Sequence, residues 1–165
     1  MDKKINISQY NENEIPQASH AKVGIVVSEW NKEVTEMLLE GCLEVLKKGQ
    51  VKEENITIKW VPGSFELPLA AQLMARYRKV NSIICLGCII QGETRHFEFI
   101  CNAVSNQIMK IGISYNIPVI FGVLTPNTIE QALDRVGGKH GNKGIEAGIT
   151  ALKMMKLKTD LKNGF

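Results

Sequence analysis

Apolar residues along this chain switch between two periods. Residues 22–28 and 82–90 are near-continuously apolar, 56–61 alternates apolar and polar, and 118–124 is apolar again. Runs of this length, bounded by turn residues, predict four strands, the unbroken ones of the kind buried on both faces of a parallel sheet. Between the runs the spacing becomes helical. Val34, Leu38, Cys42 and Val45 form one stripe that stops at Gly49. Leu67, Ala70, Ala71 and Met74 form a second, and Phe97, Cys101, Val104, Ile108 and Ile111 a third. Asn31 is placed to cap the first of these helices. Pro68 is tolerated in the second because it falls in the first turn.

After the fourth strand, Thr125-Pro126, or alternatively Asn127 with Glu130, opens a helix that reaches about Arg135, where Gly137-Gly138 breaks it. A last helix begins near Gly141-Asn142-Lys143 and turns Ile145, Ile149 and Leu152 inward. Strand and helix repeat four times, with one helix more. That order predicts an α/β fold with a four-stranded parallel sheet covered on both faces and joined by right-handed crossovers. Residues 1–20 are polar, contain Pro16 and read as an extended arm. Residues 21–157 make a single domain and 158–165 a C-terminal tail.

Composition narrows the function classes. A chain of 165 residues buries roughly two thirds of its unfolded surface as one domain. With 44% hydrophobic and 22% charged residues it is of the ordinary globular type. The net charge of +3, without any long Lys/Arg run, argues against nucleic acid and suits a small anionic substrate. The N-terminus lacks the apolar core of a signal peptide, and no apolar run is long enough to span a bilayer, so no membrane association and a cytoplasmic location are expected. Cys85 and Cys88 have redox or metal spacing, but three positions apart on a strand they face opposite ways. They read as buried thiols.

Every predicted strand ends in a cluster of chemically capable residues, and in a parallel sheet those ends share one edge. The clusters are Ser28-Glu29-Trp30-Asn31, Pro62-Gly63-Ser64-Phe65-Glu66, Gln91-Gly92-Glu93-Thr94-Arg95-His96 and Phe121 to Pro126. Aromatic, amide, carboxylate and imidazole groups converging on one rim are what a small-molecule site needs. Trp30 offers a plate for stacking, or else fills a core or interface. Glu66 in a helix's first turn complements the dipole and can also accept hydrogen bonds from substrate hydroxyls. The third cluster stands out. A strand running straight into a helix at Gly92 leaves unpaired N–H groups that favour an anion, and His96 in the first turn places a proton carrier beside them. Arg135 and the Gly-rich, basic residues 137–144 offer a second anion-binding segment, or a solvated loop.

Taken together, Val61-Pro62-Gly63-Ser64-Phe65-Glu66-Leu67-Pro68, the stretch from Gly87 to Glu98 and that from Phe121 to Gly144 resemble the 6,7-dimethyl-8-ribityllumazine synthase family of riboflavin biosynthesis. The resemblance covers about residues 22–157. It implies a flavodoxin-like three-layer sandwich with an added N-terminal arm strand. The implied transferase reaction condenses 5-amino-6-(D-ribitylamino)uracil with 3,4-dihydroxy-2-butanone 4-phosphate to the lumazine, phosphate and water, with no cofactor or metal. By resemblance, Trp30 stacks on the pyrimidine and Asn31 follows it. Ser64, Phe65 and Glu66 bind substrate, the last two holding the ribityl chain, and the backbone of Ile89 and Ile90 reads the ring's polar edge. Gly92, Glu93 and Thr94 seat the phosphate, Arg135 completes that seat, and His96 shuttles protons. Phe121 and Lys143 come from the neighbouring subunit.

The resemblance further implies a homo-oligomer of pentamers. Twelve pentamers in an icosahedral shell are expected because residues 137–144 form a short segment without insertion, and riboflavin synthase is a candidate partner inside it. Residues 6–18 are expected to add a strand to a neighbour's sheet. Three positions depart from the family pattern: Trp30 replaces a phenylalanine, Glu93 a small residue, and Gln91 a basic one. The rival readings are a flavin- or lumazine-binding protein without catalysis and a shell-forming protein on the same scaffold. The first needs Trp30 and Glu66 but neither His96 nor Arg135, and the second leaves the rim clusters without a purpose. A metal-dependent receiver domain is excluded because the first strand ends without an acidic cluster.

Overall fold

The structure, a computed structural model, describes residues 9–164. The elements are β1 (Val23–Ser28), α1 (Lys32–Lys48), β2 (Ile56–Val61), α2 (Leu67–Tyr77), β3 (Ser82–Cys88), α3 (His96–Tyr115), β4 (Val119–Leu124), α4 (Ile129–Leu133), β5 (Val136–Gly138), β6 (Gly141–Asn142) and α5 (Lys143–Asn163). The first four strands form one sheet in the order β2-β1-β3-β4, and every neighbouring pair runs parallel. Strands β5 and β6 make a small antiparallel pair apart from it.

All residues of β1 and β3 are buried, as expected for central strands covered on both faces. Ile25, Val27, Ile84, Leu86 and Cys88 face Leu38, Cys42 and Val45 of α1 and Ala147, Ala151 and Leu152 of α5. Val26, Ile83 and Cys85 face Leu67, Ala71 and Met74 of α2 and Val104, Ile108 and Ile111 of α3. Cys85 and Cys88 therefore point to opposite layers, and burial pushes their thiols up to about 12 and about 11. Helices α1 and α5 approach so closely that a Cβ at Gly144 would collide with the Leu38 carbonyl.

The strand order fixes where a ligand can enter. The chain leaves β1 toward α1 on one face and leaves β3 toward α3 on the other. The two outgoing loops diverge, and a crevice opens between the carboxyl ends of adjacent strands.

Several local expectations changed. Strand β3 stops at Cys88, and residues 89–95 form a loop before α3 rather than passing straight into it. Helix α4 starts only after Thr128, whose Oγ1 accepts the Gln131 N–H at 3.4 Å, so neither Thr125-Pro126 nor Asn127 opens it. Helix α5 continues through residues 158–163. Of the expected arm strand, residues 6–8 lie outside the described residues, and residues 9–22 contain a single 3-10 turn, Glu12–Glu14. They pack on their own domain: Ile15 is buried in the α1/α5 layer, and Lys48 Nζ donates to Tyr10 Oη (3.2 Å) and pairs with Glu12 (2.5 Å). No helix among the described residues is long and apolar enough to cross a membrane.

Candidate active site

Asn31 closes the crevice floor. It does not cap α1 with its side chain. Its backbone is left-handed (φ 56), and Nδ2 donates to the Cys88 carbonyl at 2.9 Å, tying the end of β1 to the end of β3. The left-handed turn is tolerable because asparagine is among the few residues that adopt it readily. Beside it the β1–β2 ladder runs on past both strands: Glu29 N donates to Val61 O (2.8 Å) and Trp30 N to Pro62 O (3.2 Å). This lays the Trp30 indole over Gly63, where a Cβ would stand 3.5 Å from Cε3. The ring remains 70% exposed, and Phe65 is 57% exposed. Two large aromatics open to solvent on one rim are a surface prepared for a flat ligand.

The 3-10 turn Ser64–Glu66 bridges this rim to α3. It packs against β1, β3 and the start of α2 as well as α3. Glu66 Oε2 accepts the Gly63 N–H at 3.0 Å and so fixes the turn. Its other oxygen has no partner among the described residues. Ser64 is buried, and its Oγ likewise has no partner among the described residues. A Cβ at residue 87 would stand 2.6 Å from that Oγ, so only glycine on β3 lets the turn press this close.

The loop after β3 keeps its register with the β4 side: Ile89 N donates to Leu124 O (2.8 Å) and Gln91 N to Pro126 O (3.0 Å). Strand alternation turns both backbone polar groups of Ile90 the other way, toward the crevice over β1. The N–H groups of Gly92, Glu93 and Thr94 donate to no acceptor among the described residues, and all three residues are exposed. They lie just before the N-terminus of α3, where the helix dipole adds to their partial positive charge. Thr94 Oγ1 sits 3.4 Å from the His96 N–H. His96 is the first residue of α3 and is exposed on the same rim as Trp30.

Arg135, Lys143 and Phe121 are elsewhere on the chain. Arg135 lies between Ala132 and Val136, both in the α1/α5 layer, whereas α3 belongs to the other layer. Its guanidinium donates to His140 O (2.6 Å) and Glu146 Oε1 (2.7 Å) and not to residues 92–94. Lys143 and Phe121 line a groove of about 850 Å³ along the free edge of β4, between α3 and α5, with Met109, Ile113 and Met154. At the opposite edge of the sheet, β2 and α2 leave Trp60, Leu69, Leu73 and Tyr77 exposed beside Phe65. One chain thus brings Trp30, Asn31, Ser64, Phe65, Glu66, Ile89, Ile90, Gly92, Glu93, Thr94 and His96 to one rim, and holds Phe121, Arg135 and Lys143 apart from it. Glu146, which pairs with both Arg135 and Lys143, is not among the residues expected from the sequence. Its signal was a carboxylate three residues after Lys143 in a helix's first turn.

The family model for 6,7-dimethyl-8-ribityllumazine synthase matches residues 20–159. The chain belongs to the lumazine synthase family. Curated relatives agree along nearly their whole length. A 6,7-dimethyl-8-ribityllumazine synthase of Cytophaga hutchinsonii is 59% identical over 150 residues, 91% of this chain and 94% of that protein. Those of Parabacteroides distasonis and Christiangramia forsetii are 49% and 48% identical, covering 91% and 95% of this chain and 94% of each relative. The four-stranded parallel sheet flanked by helices is the flavodoxin-like fold expected of a lumazine synthase.

Proposed function

We propose that this chain condenses 5-amino-6-(D-ribitylamino)uracil with 3,4-dihydroxy-2-butanone 4-phosphate, in a site completed by a neighbouring copy. The observation that carries this is the division of the site. The stacking plates, the amide-rich loop and His96 occupy one rim, while Lys143 lines an apolar groove along the free edge of β4 and Arg135 is tied to it through Glu146. A surface at one edge that meets a different surface at the other edge is a heterologous contact, which builds a ring when the rotation between copies closes. The family likeness supports a pentamer, and twelve pentamers in a shell, as the assembly proposed. A shell leaves room for riboflavin synthase in its interior. The compartment we propose is the cytoplasm.

The chemistry uses each group where it stands. The pyrimidine stacks on Trp30 beside Phe65, its polar edge meets the backbone of Ile90, and Glu66 takes the ribityl hydroxyls on its available oxygen. The 5-amino group attacks the ketone of the second substrate and expels water to give an imine. His96 carries the protons, which imidazole does well near neutral pH. Phosphate then leaves by elimination. The N–H groups of Gly92, Glu93 and Thr94, with Arg135 of the neighbouring copy, stabilise the departing anion. The ribityl-bearing nitrogen closes the second ring with loss of a further water. Holding two reactants in stacked contact supplies a large share of the rate.

Mixing the protein with both substrates should give lumazine fluorescence and stoichiometric phosphate; neither appearing refutes the reading. Co-assembly tests the shared site. His96→Ala and Arg135→Ala chains, each impaired alone, should recover ~25% of wild-type sites in a random equal mixture of such heterologous rings. No recovery would place both residues in one chain's site. Light scattering that finds only a particle of about five subunits would remove the shell.

A further inference from the structure

Arg135 and Lys143 are not independent cations. One carboxylate divides itself between them: Glu146 Oε1 accepts from Arg135 Nη2 at 2.7 Å, and Oε2 pairs with Lys143 Nζ at 2.9 Å. All three side chains are largely shielded, at 18%, 22% and 31% exposure for Arg135, Glu146 and Lys143. The Arg135 guanidinium is held a second time, through Nη1 to the His140 carbonyl at 2.6 Å. The backbone joins in, because Lys143 N donates to Arg135 O at 2.8 Å. Gripped at two corners, the planar fork cannot rotate, and its remaining N–H groups keep one direction. Lys143, on the other arm of the same carboxylate, is held where it lines the β4 groove, which Phe121 lines as well.

We infer that Glu146 is a positioning residue for the phosphate-bearing substrate. It sets the two cations at a fixed spacing, so that the neighbouring copy meets a formed half-site rather than two flexible chains. The inference deepens the proposed function and rests on its assignment of Arg135 and Lys143 to the active site. Charge and position oppose each other here, which makes the role measurable. By Coulomb's law a carboxylate paired with the cations that meet the phosphate weakens their attraction for an anion. By holding the guanidinium it strengthens binding, because a bidentate contact depends on geometry.

Glu146→Gln removes the charge and keeps the shape, so the two roles give opposite signs. Positioning predicts that the KM for the phosphate substrate and the inhibition constant of inorganic phosphate rise about tenfold, while the KM for the aminopyrimidine stays put. Glu146→Asp keeps the charge but draws it back by one methylene, and should give a smaller rise of the same pattern. A phosphate inhibition constant that falls or does not move in Glu146→Gln overturns the inference. So does a parallel rise in both KM values, which marks a merely structural residue. If Glu146→Gln does not assemble, Glu146→Asp carries the same test with the same two outcomes. Arg135→Ala separates the two levels. If it leaves the phosphate KM unchanged, the site assignment itself fails. If it raises that KM while Glu146→Gln does not, only the positioning role fails.

Discussion

Asn31→Asp gives the sharpest test of how the rim is built. A side chain that capped α1 would be replaced without loss, since aspartate caps as well as asparagine and its charge suits a helix N-terminus. The structure gives the opposite expectation. The Asn31 Nδ2 donates to the Cys88 carbonyl at 2.9 Å across the β1/β3 crevice. Aspartate has no donor there and turns an anionic oxygen toward the carbonyl oxygen. Leaving such a partly buried acceptor unpaired costs about 1–3 kcal/mol, and we take about 2 kcal/mol. For a chain of this size each kcal/mol moves the melting temperature by about 2–4 °C, so a fall of about 4–8 °C follows. Asn31→Gly is the companion variant. It keeps the left-handed backbone at φ 56 without strain and leaves the same carbonyl unpaired but with no anion facing it, which puts its cost at the low end of that range, about 1 kcal/mol. The assay is thermal melting at one fixed protein concentration, because assembly contributes to apparent stability. An Asn31→Asp chain that melts at or above the wild-type temperature would refute the bridge and restore the cap.

Four further outcomes follow from the geometry. His96→Ala should lower kcat about a hundredfold with the fold intact, because the ring is exposed and the loss is a proton-transfer group; unchanged turnover removes it from the mechanism. Trp30→Ala should raise the KM for the aminopyrimidine while stability moves by no more than about 0.5 kcal/mol, since the indole is mostly solvent-facing; a large drop in melting temperature would show it to be a core residue instead. Gly144→Ala should destabilise by at least about 1–3 kcal/mol by forcing α5 away from the Leu38 carbonyl, read as a lowered melting temperature. Burial raises Cys42 and Cys85 from an ordinary value of 9.0 to about 12, so the unfolded thiols ionise first; stability present below pH 9 should fall between pH 9 and 12, and thiol reagents at pH 8 should label these two residues only after denaturation.

Much of this molecule is written in its period. The continuous apolar runs of β1 and β3 require cover on both faces, and the helical stripes between strands require crossovers, so a parallel sheet with helices on both sides follows from pattern alone. The rim residues were legible for the same reason, since strand ends in such a sheet share one edge. What pattern could not settle depends on which groups meet across the fold. Asn31 carries the signature of a helix cap, and only the approach of Cys88 from β3 turns its amide into a bridge. The run to Ile90 reads as strand throughout, yet β1 ends first, so residues 89–91 stay tied on the β4 side alone before the loop turns away toward α3. Glu146 looks like an ordinary first-turn acid until the β5–β6 turn brings Arg135 against it. Local hydrophobic spacing determines layers because burial is decided element by element. Pairing of polar groups far apart in the chain is decided only when the layers close, and that is where the site acquires its geometry.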